Sequence, residues 1–182
     1  MFAYVLVLLG VASRYLMAPH VAWLNFTAVG GSLLYFGARR SRREMLAPLA
    51  VLMASDYCLT TYFYGYAFHW QDYVVTWGWY VAAMALGWIL LGKRVSFMRG
   101  AVAALLGPTS FFVVSNFVVW ASASFSNYPH TLAGLATCYV AAIPFYRNDL
   151  ISTAITLGAA YAVPALVRRM HEGRAQEALA GK

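Results

Sequence analysis

The residues of this chain with useful chemistry are few and oddly placed. Asn116, Asn127, His130, Arg147, Asn148 and Asp149 punctuate apolar, helix-like segments instead of gathering in hydrophilic loops. Asp56 stands well inside another apolar run, and Arg14 lies near the far end of the first one. Ionisable groups at or near membrane depth are costly, and by default they mark a site or a structural lock. Asp56 follows Glu44 by twelve residues, about 18 Å of helix at about 1.5 Å per residue, which places it close to mid-bilayer. A bare carboxylate there costs about 2.5–3.5 kcal/mol even on the lenient insertion scale, so it must be protonated, paired or hydrated. Arg14 and Arg147 are the basic residues within its reach. The pair reads either as a lock between helices or as part of a ligand pocket. A proton or ion relay is a third reading, poorly served by one acidic residue.

Other chemistries lack their residues. The sequence shows no Ser-His-Asp constellation, no HExxH, no phosphate loop and no paired carboxylates, so no enzyme and no cofactor is expected. With no ATP-binding sequence, active transport would draw on a partner or an ion gradient. His20, His69 and His130 come from separate loops without ligand spacing, so no metal site is expected. His130, after Tyr128-Pro129, suits a cap on the following helix or a donor to a carbonyl. Cys58 and Cys138 lie inside apolar runs, where cysteine serves as a small hydrophobe and not as part of a disulfide framework or zinc site. Cys58 lies two residues beyond Asp56 and is expected to face the same cavity.

The elements that must hold these groups are membrane helices. The 182 residues are 62% apolar and 10% charged, with a mean hydropathy of +0.64. Soluble domains carry about 25% charged residues, so an all-α integral membrane protein is expected. Six spans are predicted, at 2–17, roughly 24–38, 45–62, 73–91, 97–120 and 149–167, in a single bundle over residues 1–167. Residues 168–182 form a short basic tail. Asn25-Phe26-Thr27 should open the second span, and Pro144 should close the short apolar stretch 131–145. No cleaved signal peptide is expected from residues 2–17, which lack a preceding charge and a following small-residue site.

Positive charge sets the orientation. With Met1 in the cytoplasm, the loops 39–44 and 93–99 and the tail are all cytoplasmic, and they hold all 13 Lys and Arg except Arg14 and Arg147. Such a bias is what the positive-inside rule demands. A full crossing by 131–145 would put the tail outside, so that stretch is predicted to be a re-entrant or interfacial helix on the outer side, tolerated where protein covers its backbone. The net charge of +7 then speaks for topology and anionic lipid headgroups, with no nucleic acid partner.

Two further patterns bear on packing. Gly78-x-x-x-Ala82, Ala83-x-x-x-Gly87, Gly100-x-x-x-Ala104 and Ala103-x-x-x-Gly107 allow close helix approach in lipid. The aromatic run from Tyr62 to Tyr80 suits interfacial anchoring, and it also suits a lid that stacks on a flat ligand.

Several motifs carry a resemblance. Pro19-His20, Asn25-Phe26-Thr27-Ala28-Val29-Gly30, Ser55-Asp56, Ser115-Asn116-Phe117-Val118-Val119-Trp120 and Tyr128-Pro129-His130-Thr131-Leu132-Ala133-Gly134-Leu135 are among them. Cys138 to Asn148 continues the series. Over about residues 14–165 the chain resembles an uncharacterised bacterial inner-membrane family labelled provisionally as transport proteins. Its size and six-span plan are similar to the substrate-binding S components of energy-coupling-factor vitamin transporters. S components present an Ala-x-x-x-Ala face to their energising partner, whereas the first helix here reads Ala3-x-x-x-Val7 and Gly10-x-x-x-Arg14. The resemblance implies uptake of a small vitamin-like or aromatic molecule, by an S-component-like protein or a solitary transporter. Arg14, Asn25, Asp56, Asn116, His130, Arg147 and Asp149 are the expected substrate-binding groups. The alternative is a non-transporting accessory subunit of a larger membrane complex.

Overall fold

Pro19 sets the first boundary. It has no N–H with which to continue a helix, and α1 (Phe2–Met17) ends just before it. An irregular connection follows, with a 3-10 turn at Val21–Trp23 and Asn25 in the left-handed region at φ 64°. Then come α2 (Val29–Arg39), α3 (Leu46–Cys58), α4 (Val74–Leu91), α5 (Phe97–Ala121) and α6 (Leu132–Ala180). This computed structural model describes residues 1–93, 95–122 and 128–180, with no strand among them. Asn127, one of the polar landmarks of the sequence, lies outside the described residues. Four helical stretches are long and apolar enough to cross a membrane: Arg42–Phe63, Trp70–Leu91, Phe97–Ala121 and Leu132–Arg174. Helix α1 is apolar but shorter, and α2 has only 11 residues.

Helix α2 is the centre of the bundle. Every residue from Val29 to Gly37 is buried, because α1, α4 and α6 all pack on it. It runs antiparallel to α1, with Tyr4 edge-on to Phe36 and Gly10 beside Ser32. It runs parallel to α6, where Gly31 meets Thr156 and Leu157 and Tyr35 meets Tyr161. Helices α5 and α6 form an antiparallel pair, tied by the Phe112–Tyr146 stack at 4.6 Å and by Tyr139 Oη donating to the Val113 carbonyl at 2.7 Å.

This alternation gathers the basic residues at one end. Arg42 stacks on Trp88 at 3.9 Å and Arg39 on Tyr161 at 4.9 Å. Glu44 accepts hydrogen bonds from the Tyr4 hydroxyl and from Ser41, and pairs with Arg40. Met1 and the C-terminal turns of α6 lie toward this same end, since Phe2 and Tyr161 both pack on Tyr35. Arg14, Asn25 and Asp56 belong to the opposite end.

Two boundaries differ from those predicted. The second helix begins at Val29 and not near residue 24, because Asn25 is left-handed and the Ala28 N–H donates to Ser13 Oγ at 2.9 Å. Residues 131–145 form no separate re-entrant or interfacial helix. They are the first turns of α6, whose 49 residues run unbroken through Pro144 and Pro164. Proline inside a membrane helix is tolerated where neighbouring groups compensate the lost rung. Here Tyr139 and Tyr146 anchor both sides of Pro144 to α5. At about 1.5 Å per residue α6 is about 73 Å long, far more than a bilayer core needs, so residues 168–180 continue it as a helical extension.

Candidate functional site

Among the described residues Asp56 is the buried side chain with the most hydrogen-bond donors. It sits near the end of α3 with its side chain 1% exposed. Arg14 from α1 forms an ion pair with its Oδ1, and Tyr80 Oη from α4 donates to the same oxygen at 3.3 Å. Trp77 Nε1, also from α4, donates to Oδ2 at 2.9 Å. The second terminal nitrogen of Arg14 donates to Ser55 Oγ at 2.9 Å. Both carboxylate oxygens therefore have donors, and the pair stitches α1, α3 and α4 together.

The backbone beside Asp56 departs from α geometry. Thr60 Oγ1 donates to the Asp56 carbonyl at 2.8 Å, and Leu59–Phe63 continues α3 as a π-helical turn. Such turns frequently mark functional sites. Tyr73 hydrogen-bonds Thr60 and packs against Phe68 at 5.0 Å and Trp77 at 5.9 Å, the latter two rings 6.3 Å apart. Of the aromatic run, Trp77 bonds Asp56 and Tyr73 lines the space beside the ion pair, whereas Tyr62, Tyr66 and Trp70 are exposed.

Asp149 is the opposite case. It is 8% exposed, in the middle of α6, facing Gly30 of α2. Among the described residues the Thr153 hydroxyl, 3.2 Å from Oδ1, is the one donor to its carboxylate. The neighbouring Asn148 is also buried and serves the α1–α2 connection. Its Nδ2 donates to the carbonyls of Ala22 and Leu24, each at 3.0 Å, which satisfies irregular backbone that helix geometry leaves open.

Three adjoining cavities occupy this end of the bundle. One of about 230 Å³ is bounded by Arg14, Asn25, Asp56, Trp79, Tyr80 and Asp149. Another, of about 120 Å³, lies between Asn25, Phe111, Phe112, Asn116, Tyr146 and Asp149. A third, of about 150 Å³, reaches from Arg14 and Asp56 to Leu24, Thr60 and Tyr64. Asn25 lines all three and Asp149 the first two, so the chambers adjoin one another as one cleft of mixed polar and apolar walls around the α1–α2 connection.

The structure thus brings Arg14, Asn25, Asp56, Asn116 and Asp149 together around one cleft. Asn116 contributes from α5, its Nδ2 donating to the Phe112 carbonyl at 2.8 Å, with Cys138 Sγ 3.5 Å from its own carbonyl. His130 and Arg147 do not join them. His130 is exposed, 5.7 Å from the Trp120 ring. Thr131 and not His130 caps α6, its hydroxyl accepting from the Gly134 N–H at 3.1 Å. Arg147 is exposed because the helical turn that buries Asn148 and Asp149 points it outward. Cys58 lines none of the three chambers. Trp77 and Tyr80 were missed as partners of Asp56. Their i, i+3 spacing places them on one helix face, a signal hidden by the abundance of aromatics around them. Among the described residues no three His, Cys, Asp or Glu cluster as metal ligands would.

The chain belongs to a family described as "Family of unknown function (DUF6580)", whose model matches residues 1–176. No curated protein and no solved structure matches the chain.

Proposed function

We propose that this protein binds a small molecule in the cleft between Arg14, Asp56 and Asp149 and helps to move it across a bacterial inner membrane. In this reading the Arg-rich end faces the cytoplasm, as the positive-inside rule asks, and the cleft opens to the outside. The observation that carries the reading is the cleft itself. Placed polar groups line adjoining chambers whose remaining walls are aromatic and aliphatic, the usual make-up of a small-molecule site. Non-helical backbone at membrane depth survives only where protein covers it or a cavity adjoins it, and the Asn25 connection borders all three chambers. The protein acts either beside an energising module, as S components do, or alone.

Native mass spectrometry of gently extracted protein tests this. Release of a stoichiometric small molecule supports the reading. Its absence together with a stoichiometric protein partner favours the accessory-subunit alternative. One observation serves that alternative: an apolar hollow of about 460 Å³ at the basic end of α5 and α6, floored by Gly100, Ala101, Ala104 and Gly158. Small residues of this kind admit a neighbouring helix closely.

A further inference from the structure

Building on the small-molecule reading, we infer that the cleft selects a small organic cation, with its ammonium group on Asp149 and its apolar body against Phe111 and the Phe112–Tyr146 pair.

The charges lining the cleft do not balance locally. Arg14 and Asp56 satisfy one another, and Ser55, Trp77 and Tyr80 occupy further hydrogen-bonding positions of the pair. Asp149 has no cationic partner among the described residues, and the Thr153 hydroxyl meets one of its oxygens. It is nevertheless more than nine-tenths buried and borders two chambers at once. A carboxylate so placed must be protonated, hydrated or met by a cation, and the two chambers it borders leave room for the cation. The adjacent Arg147 cannot serve, because it points outward.

The surroundings favour an organic cation over a metal ion. Hard cations ask for about six or more oxygen ligands, carboxylates foremost, whereas among the described residues no three His, Cys, Asp or Glu cluster. The chamber that joins Asp149 to Asn25, Ser115 and Asn116 is otherwise walled by Phe111, Phe112, Phe145, Tyr146, Pro108 and Ala142. Ammonium groups are well received by a carboxylate with aromatic faces nearby, through ion pairing and cation–π attraction. Gly30 keeps the carboxylate approachable: a Cβ there would stand 3.5 Å from Asp149 Oδ1 and overlap the Thr153 hydroxyl. An anionic ligand would meet Asp149 unscreened, while the terminal nitrogens of Arg14 are already engaged.

The test uses the full chain in mild detergent and three probes of similar shape: benzylammonium, benzyl alcohol and benzoate. Benzylammonium should raise the melting temperature saturably, and the neutral and anionic probes should not. Asp149→Asn should weaken benzylammonium binding about tenfold or more, the loss of one charged contact. The probe series on the unaltered protein decides the matter even where that variant fails to fold. Equal or better binding of benzoate or benzyl alcohol overturns the inference, as does unchanged benzylammonium binding by Asp149→Asn. A neutral or anionic molecule co-released in native mass spectrometry overturns the cation class alone and leaves the binding reading standing. Failure of all three probes, with nothing co-released, sinks both.

Discussion

The α-carbon of Gly37 packs directly on the main chain of Met84, and a methyl group at Gly37 would overlap the Met84 carbonyl oxygen. Gly87 repeats the arrangement against Leu34, so α2 and α4 touch backbone to backbone in both directions. Neither obstacle is the end of a flexible side chain, so neither can step aside. Gly37→Ala and Gly87→Ala should each destabilise the bundle by about 1–3 kcal/mol through overpacking. Gly78→Ala, with open space around it, should change the stability little. Thermal denaturation of the three variants in one detergent checks this, and equal melting temperatures would show that the helices separate freely.

The Arg14–Asp56 pair invites a reciprocal experiment. Removing one partner leaves a buried charge without its counterpart and costs about 3 kcal/mol or more, whereas replacing both can be nearly neutral. Arg14→Met and Asp56→Asn should therefore each lower the yield of folded protein, and the double variant should recover most of it. The same double variant keeps Asp149, and retained ligand binding in it would make the pair a lock between helices. Recovery of stability without binding would instead show the pair to be a recognition group.

How far the sequence speaks is clear from three positions. That Asp56 needs a partner was legible, because a carboxylate at bilayer depth cannot stay bare. The choice between Arg14 and Arg147 was not, because it turns on the rotation of α6, which buries Asn148 and Asp149 and exposes Arg147. The small-residue pairs divide in the same way. Ala83, Gly87, Ala103 and Gly107 are buried, while Gly78 and Gly100 face open space. Spacing offered both faces of each helix, and only the tertiary contacts select one. At Pro144 the local signals misled outright. Proline followed by Arg-Asn-Asp reads as a break, yet contacts with α5 and α2 carry the helix through it.

Asn148 is the strut of the α1–α2 connection. Asn148→Ala removes the donor to two carbonyls and should cost about 2 kcal/mol, the penalty for leaving such groups unsatisfied. Asn148→Asp should be worse, since a carboxylate would face the same carbonyl oxygens. Amide exchange across residues 22–28 should speed up in both variants before the rest of the bundle loosens. Unchanged protection there would mean that the connection is held by other means.

Because Arg147 faces away from the cleft, Arg147→Ala should leave retention of a co-released cation unchanged while Asp149→Asn weakens it about tenfold or more. Native mass spectrometry of the two variants side by side makes the comparison. Equal loss in both would mean that Arg147 turns inward when ligand binds.

The continuity of α6 can be tested at Pro144 itself. If this proline ended a helix, replacing it would let two separated segments fuse and disturb the membrane topology. If α6 is already continuous, Pro144→Ala only restores the missing rung to the Val140 carbonyl. The gain is then up to about 3 kcal/mol, the penalty of an uncompensated helical proline, and less to the extent that α5 already compensates. The melting temperature should rise or hold. Single cysteines placed at residue 131 and at residue 168 should react with a membrane-impermeant thiol reagent from opposite sides, with or without the substitution. Reaction of both from the same side would overturn the single continuous crossing.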